Sequence, residues 1–362
     1  MLLVGSAQRN AGKTELACRV LQETVGRVLV TGLKVTTVDR MDGQCPRGGQ
    51  GCGVCTSLTS PWSVTRETAR DTPKDTSRLL CHGAEQVFWL RVQEPALREG
   101  ARALLDQLAP GTVSICESNR LRHVVEPGLF LMVRSSRDEV AKRSAASVEH
   151  LTDITVVSDG HGFDLPLDSL SVVDGQWTVR RAATALVLAG AVDGPGARGK
   201  GPAGGDPGAA TRRLVEHLRH QFHRVVVDSR EPWVNTLPGV ERLLRSSGPG
   251  SLGALATCME RGPDAWTLVV PVNGDGAPPG LVTAMFRRTA GVDAVVSGPP
   301  GQPLLGWYHR RVVPALADAL RQGHRDVSAV HQHCNALEFR LPRELNPGPC
   351  YRGGPLPANR SA

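Results

Sequence analysis

Short apolar runs of β-forming residues alternate with stretches of helical periodicity along the first half of this chain. The runs are Met1 to Val4, Arg27 to Val35, Gln86 to Val92, Thr112 to Cys116, Leu129 to Val133 and Ile154 to Val157. Such alternation calls for a mostly parallel sheet covered by helices, an α/β architecture. Near Asp164 the pattern changes: "FDLPLDSLSVVDGQWTVRR" reads as two short strands turning at Asp174-Gly175, a hairpin that closes the first unit. A new apolar strand, "ATALVLAG", then opens a second alternating set that runs to about Leu341. With 362 residues there is chain enough for two ordinary cores. The expected division is 1–181 and 182–345, followed by a disordered tail over 346–362.

The second set reads "TRRLVEHLRHQFH" as a helix, "RVVVDS" as a strand, "LGALATCMERG" as a helix, "AWTLVVPV" as a strand and "GLVTAMFRRTAG" as a helix. The Gly-, Pro- and Ala-rich stretch from Gly190 to Gly208 follows a strand directly. That position favours a ligand-binding loop at the carboxyl edge of a sheet over a linker.

Composition narrows the partners. No apolar run approaches the ~20 residues that span a bilayer, and no export signal precedes Gly5, so a soluble, cytoplasmic protein with no membrane partner is expected. The formal net charge of +7 comes from scattered Arg, and aromatics make up only 4%, without the basic-aromatic stripe of a nucleic-acid binder. Anionic small molecules suit it better. Only five of the 42 basic residues are lysines (Lys13, Lys34, Lys74, Lys142 and Lys200), and a compact ammonium suits a phosphate.

The stretch "MLLVGSAQRNAGKTEL" places Ala11, Gly12, Lys13 and Thr14 after a strand and before a helix. A phosphate-cradling loop needs inward backbone N–H groups, a lysine for the outer phosphates and a hydroxyl for magnesium. Lys13 and Thr14 supply the last two, with Ala7 where the strict pattern has glycine. The bland alternative is a helix start with a surface lysine. Glu117, ending the strand in "TVSICESN", suits the outer shell of a magnesium ion, or is an ordinary strand-end carboxylate. Lys34, with Thr36 and Asp39, ends another strand on the same edge and could contact phosphates or a nucleophile.

"CPRGGQGCGVC" spaces Cys45, Cys52 and Cys55 as C-x6-C-x2-C. Thiolates on a glycine-rich turn can converge on Zn2+ or an iron-sulfur cluster. A closed site needs a fourth ligand: Cys81, the adjacent His82, or a residue from a second subunit in a homodimer. Redox-active thiols and a loop of free cysteines are the alternatives. Cys18, Cys116, Cys258 and Cys334 fall in helix or strand patterns and read as core.

The stretch "ATALVLAGAVDGPGARGKG" resembles the signature loop of molybdenum-cofactor guanylyltransferases, L-A-G-G-x-S-x-R-M-G-x-D-K, through Leu188, Ala189, Gly190 and Lys200. "SGPGSLGAL" is similar to the family's segment near the guanine through Gly248, Pro249 and Leu252. "GQPLLGWYHRRVVPAL" resembles it through Gln302, Pro303, Leu304, Gly306, Tyr308 and Arg310. The resemblance covers about residues 183 to 341. It implies a glycosyltransferase-A-like nucleotidyltransferase fold, GTP and Mg2+ as cofactors, and a molybdopterin-type substrate. Leu188, Ala189, Gly190, Gly248 and Pro249 would bind the nucleotide, and Lys200 would stabilise charge on the phosphates. The family's magnesium-binding aspartate is replaced by Asn273 in "VVPVNGDG", with Asp275 two residues on. A neutral amide offsets none of the ion's charge, which implies reduced transfer activity. The first unit resembles the P-loop accessory protein of molybdopterin-guanine dinucleotide synthesis, with a cysteine-rich insertion.

These features imply a GTP-binding protein of molybdenum-cofactor biosynthesis, with a guanylyltransferase-like second unit and a first unit able to hydrolyse GTP. The alternative is a non-catalytic P-loop scaffold that bears a metal or cluster and hands the cofactor to a molybdoenzyme.

Overall fold

In the computed structural model, residues 1–38, 58–137, 140, 142–189, 208–243, 248–272, 279–297 and 305–339 are described. The chain divides into two compact units, Met1–Thr178 and Val179–Ala362. Both are α/β, and each holds one seven-stranded, mixed but mostly parallel sheet.

The first unit runs β1 (Leu2–Ser6), α1 (Lys13–Thr24), β2 (Thr31–Val38), β3 (Trp62–Glu67), α2 (Asp75–Cys81), β4 (Gln86–Gln93), α3 (Leu97–Leu105), β5 (Ser114–Glu117), β6 (Leu129–Ser135), α4 (Arg143–Ala146) and β7 (Ile154–Ser158). The strand order is β3-β4-β2-β5-β1-β6-β7. Every pair is parallel except β3 with β4. All five residues of β1 are buried, as a central strand covered on both faces requires. Helix α1 buries Leu16, Ala17, Cys18, Val20 and Leu21, the stripe that a 3.6-residue period turns inward. Helix α3 covers the other face, packing Leu97, Ala101 and Leu104 with Leu33, Val35, Leu90 and Val92.

The predicted hairpin is present as β8 (Leu170–Val173) and β9 (Gln176–Val179). Its turn places Asp174 at φ 50° and Gly175 at φ 73°. Positive φ at both central residues matches the right-handed twist of the flanking strands. The buried indole of Trp177 donates to the Ser114 carbonyl at 2.9 Å, tying the hairpin to the base of β5. Strand β3 was not expected. Its sequence, Trp-Ser-Val-Thr-Arg-Glu, is half polar because it is an edge strand with one open side.

The second unit runs β10 (Arg181–Leu188), α5 (Ala209–Arg219), β11 (Phe222–Asp228), β12 (Val240–Leu243), α6 (Gly250–Arg261), β13 (Trp266–Pro271), α7 (Pro279–Phe286), β14 (Ala294–Ser297), β15 (Leu305–His309), α8 (Val313–Arg321) and β16 (Ala336–Glu338). The order is β12-β11-β10-β13-β15-β14-β16, with β15 antiparallel to both neighbours. Two helices are shorter than their periodicity predicts. Helix α5 stops at Arg219 because Phe222 starts β11, where its ring meets Trp307 at 5.5 Å. Helix α7 ends at Phe286, whose ring lies 4.8 Å from the same indole. No helix among the described residues is long and apolar enough to cross a membrane.

Candidate functional site

The strongest constellation of the first unit forms at the carboxyl ends of β1, β2 and β5. In-register pairing sets Val4 beside Glu117 and Glu117 beside Lys34, so three neighbouring strands present one carboxylate between two lysine-bearing segments. Strand β1 leads into the loop Ala7 to Gly12, and the chain then enters α1 at Lys13. Asn10 at φ 57° and Gly12 at φ 93° take left-handed conformations that fold this loop back on itself. Ala7 is not among the positive-φ residues, which is why alanine serves where the strict phosphate-loop pattern has glycine. No side chain caps the start of α1, so its first N–H groups keep their capacity for an anion.

Four charged side chains and one hydroxyl converge there. Glu117 is fully buried. Its Oε2 accepts from Lys34 Nζ at 2.8 Å and from Thr14 Oγ1 at 3.0 Å, and lies 3.8 Å from Lys13 Nζ. Its other oxygen, Oε1, is buried without a hydrogen-bond partner. An orphaned carboxylate oxygen in a dry site is costly, and a cation is the natural partner for it. Lys34 Nζ also donates to Asp75 Oδ2 at 2.5 Å. Asp75 sits in the first turn of α2, where the helix dipole favours a carboxylate.

The charge states follow from this packing. Burial, then the Lys34 charge, hold Lys13 below its ordinary value, with Glu117 and Asp75 pulling the other way. Burial also works against a charged Lys34, but the two carboxylates outweigh it and raise its pKa. Burial would raise the Asp75 pKa, and Lys34 overrides it to hold the carboxyl below its usual range. Lys34 and Asp75 are thereby held as a charged pair.

The entrance loop is braced from below. The Asn119 amide donates to the Ser6 carbonyl at 3.0 Å and accepts from the Ser6 N–H at 2.8 Å, standing in for a strand partner just where β1 ends. Lys142 Nζ donates to Ser6 Oγ at 3.2 Å, and the Lys142 N–H to the Ala7 carbonyl at 2.8 Å.

The structure thus brings together Gly12, Lys13, Thr14, Lys34 and Glu117 as the sequence suggests, with Ala11 buried in the same loop. Thr36 lies one step farther along β2, and Asp39 falls outside the described residues. Asp75 is the residue that sequence reading missed. The available signal was an acidic residue opening a helix after Pro73.

The donor set fits magnesium, a hard cation that takes few protein oxygens and keeps several waters. Thr14 Oγ1, Glu117 and Asp75 would hold it. Among the described residues no group of three His, Cys, Asp or Glu side chains could bind a metal, so a cation here depends on the hydroxyl and on ligand oxygens. Cys45, Cys52 and Cys55 fall outside the described residues. Cys81 ends α2 exposed, its thiol donating to the Arg70 carbonyl at 2.8 Å, and His82 Nδ1 meets the Arg78 carbonyl at 2.7 Å. Cys18, Cys116 and Cys258 are buried, and burial pushes each thiol up to about 12, which makes them inert core residues.

In the second unit, Leu188 ends β10 between β11 and β13, and Ala189 follows it. The chain goes to one side of β10 through β11 and β12 and to the other through β13, the reversal that opens a ligand crevice in α/β sheets. Asp228, in register with Leu188, is half-buried there, and desolvation raises its pKa. Gly248 and Pro249 lead into α6. A Cβ on Gly253 would sit 1.9 Å from the Gly248 carbonyl oxygen, so this approach needs glycine. Tyr308 and Arg310 are tied into the fold. Tyr308 is fully buried with its hydroxyl 2.9 Å from His331 Nε2, and Arg310 donates to the Met259 carbonyl at the end of α6. Gly190, Lys200, Asn273, Asp275, Gln302, Pro303 and Leu304 lie outside the described residues, as does the tail.

No protein-family model matches the chain. Over 159 residues it is 24% identical to a probable molybdenum cofactor guanylyltransferase of Bacillus mycoides (strain KBAB4), covering 41% of this chain and 80% of that protein. Among solved structures it is similar to the molybdopterin-guanine dinucleotide biosynthesis protein A of Archaeoglobus fulgidus, at 17% identity and TM-score 0.33, covering 43% of this chain and 83% of that one. It is also similar to a 4-diphosphocytidyl-2C-methyl-D-erythritol synthase of Anaerococcus prevotii, at 9% identity and TM-score 0.35, covering 46% and 91%.

Proposed function

We propose that the chain is a two-unit protein of molybdenum-cofactor nucleotide chemistry. In this reading Met1–Thr178 binds a nucleoside triphosphate with magnesium and Val179–Ala362 is a guanylyltransferase-like unit. The observation that carries the first half is the buried Glu117, one oxygen held by Lys34 and Thr14 and the other without a partner. Similarity to the Bacillus mycoides guanylyltransferase supports the second half and suggests GTP as the nucleotide and molybdopterin as the acceptor of GMP.

Each group at the phosphate loop then has a task. Backbone N–H groups between Ala7 and Lys13 cradle phosphate oxygens, and Lys13 meets the outer phosphates. Lys34 stays protonated between Glu117 and Asp75 and places a second positive charge on the same edge. Thr14, Asp75 and Glu117 hold the magnesium ion, which when bound spreads and neutralises the negative charge of the phosphates. The half-exposed Asp75 leaves the outer side of the site open to water, consistent with hydrolysis.

The test is a titration of the full chain with GTP, with and without magnesium, on the natural protein and on Glu117→Gln. Magnesium should tighten GTP binding to the natural protein by at least about ten-fold, the scale of one charge-assisted contact, and should have no effect on the variant. Equal magnesium dependence in the two proteins would remove Glu117 from the site.

A further inference from the structure

Helix α2 carries Asp75, yet it is only seven residues long, and its setting decides whether that carboxylate stays beside Lys34. Its inner side is apolar, with Leu79 closing over Gly32 of β2. Apolar contact of this kind resists separation but does little to stop a short helix turning about its own axis. Asp75 and Arg78 are three residues apart and so share one side of α2. Asp75 meets Lys34 of β2 at 2.5 Å, and Arg78 Nη2 donates to Glu15 Oε2 of α1 at 2.7 Å. Two polar anchors on one side, tied to two different elements, fix the rotation of the helix where one would not.

Glu15 follows Thr14 directly in the first turn of α1. Its carboxylate is divided between two guanidiniums: Oε2 accepts from Arg78, and Oε1 accepts from Arg19 Nε, one turn along α1, at 3.0 Å. Arg19 is held in its turn. Its Nη2 donates to the His161 carbonyl at 3.0 Å, and its guanidinium lies 5.4 Å from the centroid of the Phe163 ring. A continuous line of contacts therefore runs from the loop after β7 through Arg19, Glu15 and Arg78 to the helix that bears Asp75. Arg19 first, with Arg78 acting in the same direction, holds the Glu15 carboxyl below its ordinary range, so it stays charged. All three side chains are partly exposed, and exposed ion pairs add little to folding stability. What the chain of pairs does supply is a fixed relation between Thr14 on α1 and Asp75 on α2.

We propose that Glu15 is a positioning residue of the cation site, which through Arg78 locks α2 so that Asp75 can serve the magnesium ion together with Thr14 and Glu117. Arg19 pre-orders the Glu15 side chain for this task. The proposal rests on the nucleotide reading for the ion itself, but the coupling of α2 to α1 does not require it.

The full chain is titrated with a non-hydrolysable GTP analogue at a series of magnesium concentrations and again in EDTA, and amide exchange is followed in the ligand-free protein. Arg78→Met and Glu15→Gln should each raise the magnesium concentration needed for half-maximal tightening by about three- to five-fold, the scale of an exposed charge pair. The loss should be larger with magnesium than in EDTA, and Arg78→Lys should restore part of it. The double variant should be no worse than the weaker single one, because the two residues act as one contact. In the ligand-free chain Arg78→Met should speed the exchange of α2 amides and not those of α3. Unchanged magnesium dependence, an equal loss with and without magnesium, or additive single effects would each overturn the proposal. If the natural chain binds the analogue in neither condition, the nucleotide reading fails and exchange decides the coupling. Faster exchange of α2 in Arg78→Met then upholds it, and unchanged exchange removes it.

Discussion

Asp75 and Lys34 show how one contact sets opposite acid and alkaline limits. Lys34 lowers the Asp75 pKa below its ordinary 3.8, so the contribution of Asp75 to stability is present above that value and is lost as pH falls through the lower, folded one. The pKa of Lys34 is raised above its ordinary 10.5, because Glu117 and Asp75 outweigh burial. Its contribution is complete below 10.5 and is lost as pH rises through the higher, folded value. Thermal midpoints of the natural chain should therefore fall at both extremes. Asp75→Asn should flatten the acid side below pH 4 and leave much of the alkaline side, where Glu117 still holds Lys34. Lys34→Met should flatten both. An acid limb as steep in Asp75→Asn as in the natural chain would show that the pair is not coupled in solution.

At the scale of elements, the loop from Ala7 to Gly12 depends on how β1 ends. Asn119 pairs with both backbone groups of Ser6, and this is feasible because Gly5 has no side chain. A Cβ on Gly5 would stand 2.9 Å from Asn119 Oδ1 and 3.0 Å from the Phe130 ring. Gly5→Ala should cost about 1–3 kcal/mol, the usual penalty of overpacking a tight site, and should weaken nucleotide binding by displacing Ser6. Asn119→Ala in the same chain should recover part of the stability loss, because neighbours in contact are not additive. Denaturation midpoints of the two single variants and the double variant measure it, and strict additivity would sink the idea. The same region shows what a sequence can disclose. Gly12, Lys13 and Thr14 are legible because strand, loop and helix are contiguous, and Glu117 because it ends an apolar strand. Asp75 is not, since its partner Lys34 lies 41 residues away and only the sheet brings them together. Strand β3 escapes for a related reason: its half-polar residues carry no apolar run, and its pairing depends entirely on β4. In the second unit, Tyr308 and Arg310 match the family segment in sequence, and the fold places Tyr308 in the core and Arg310 on a carbonyl of α6.

For the whole molecule, the decisive property is that the two units have separate cores. In the first, Leu3, Leu33, Leu90, Phe130 and Met132 pack with α3 against one sheet. In the second, both faces of another sheet are filled, by Leu186, Leu255 and Tyr308 on one side and by Val187, Phe222 and Trp307 on the other. Units with independent cores unfold as separate cooperative steps, so a single melting temperature does not describe the chain. Calorimetry should resolve two transitions. A ligand that binds one folded unit stabilises only that unit, by about 2.7 kcal/mol when present at a hundred times its dissociation constant. For a unit of this size that is an upward shift of about 5–10 °C. With GTP and magnesium at sub-saturating levels for any weaker site, one transition should move and the other should stay. Lys13→Ala should hold the moving transition at its ligand-free temperature, which identifies it as the first unit. If GTP instead moves the transition that is insensitive to Lys13→Ala, the tighter nucleotide site belongs to the second unit. The division of labour proposed for the two units would then be reversed.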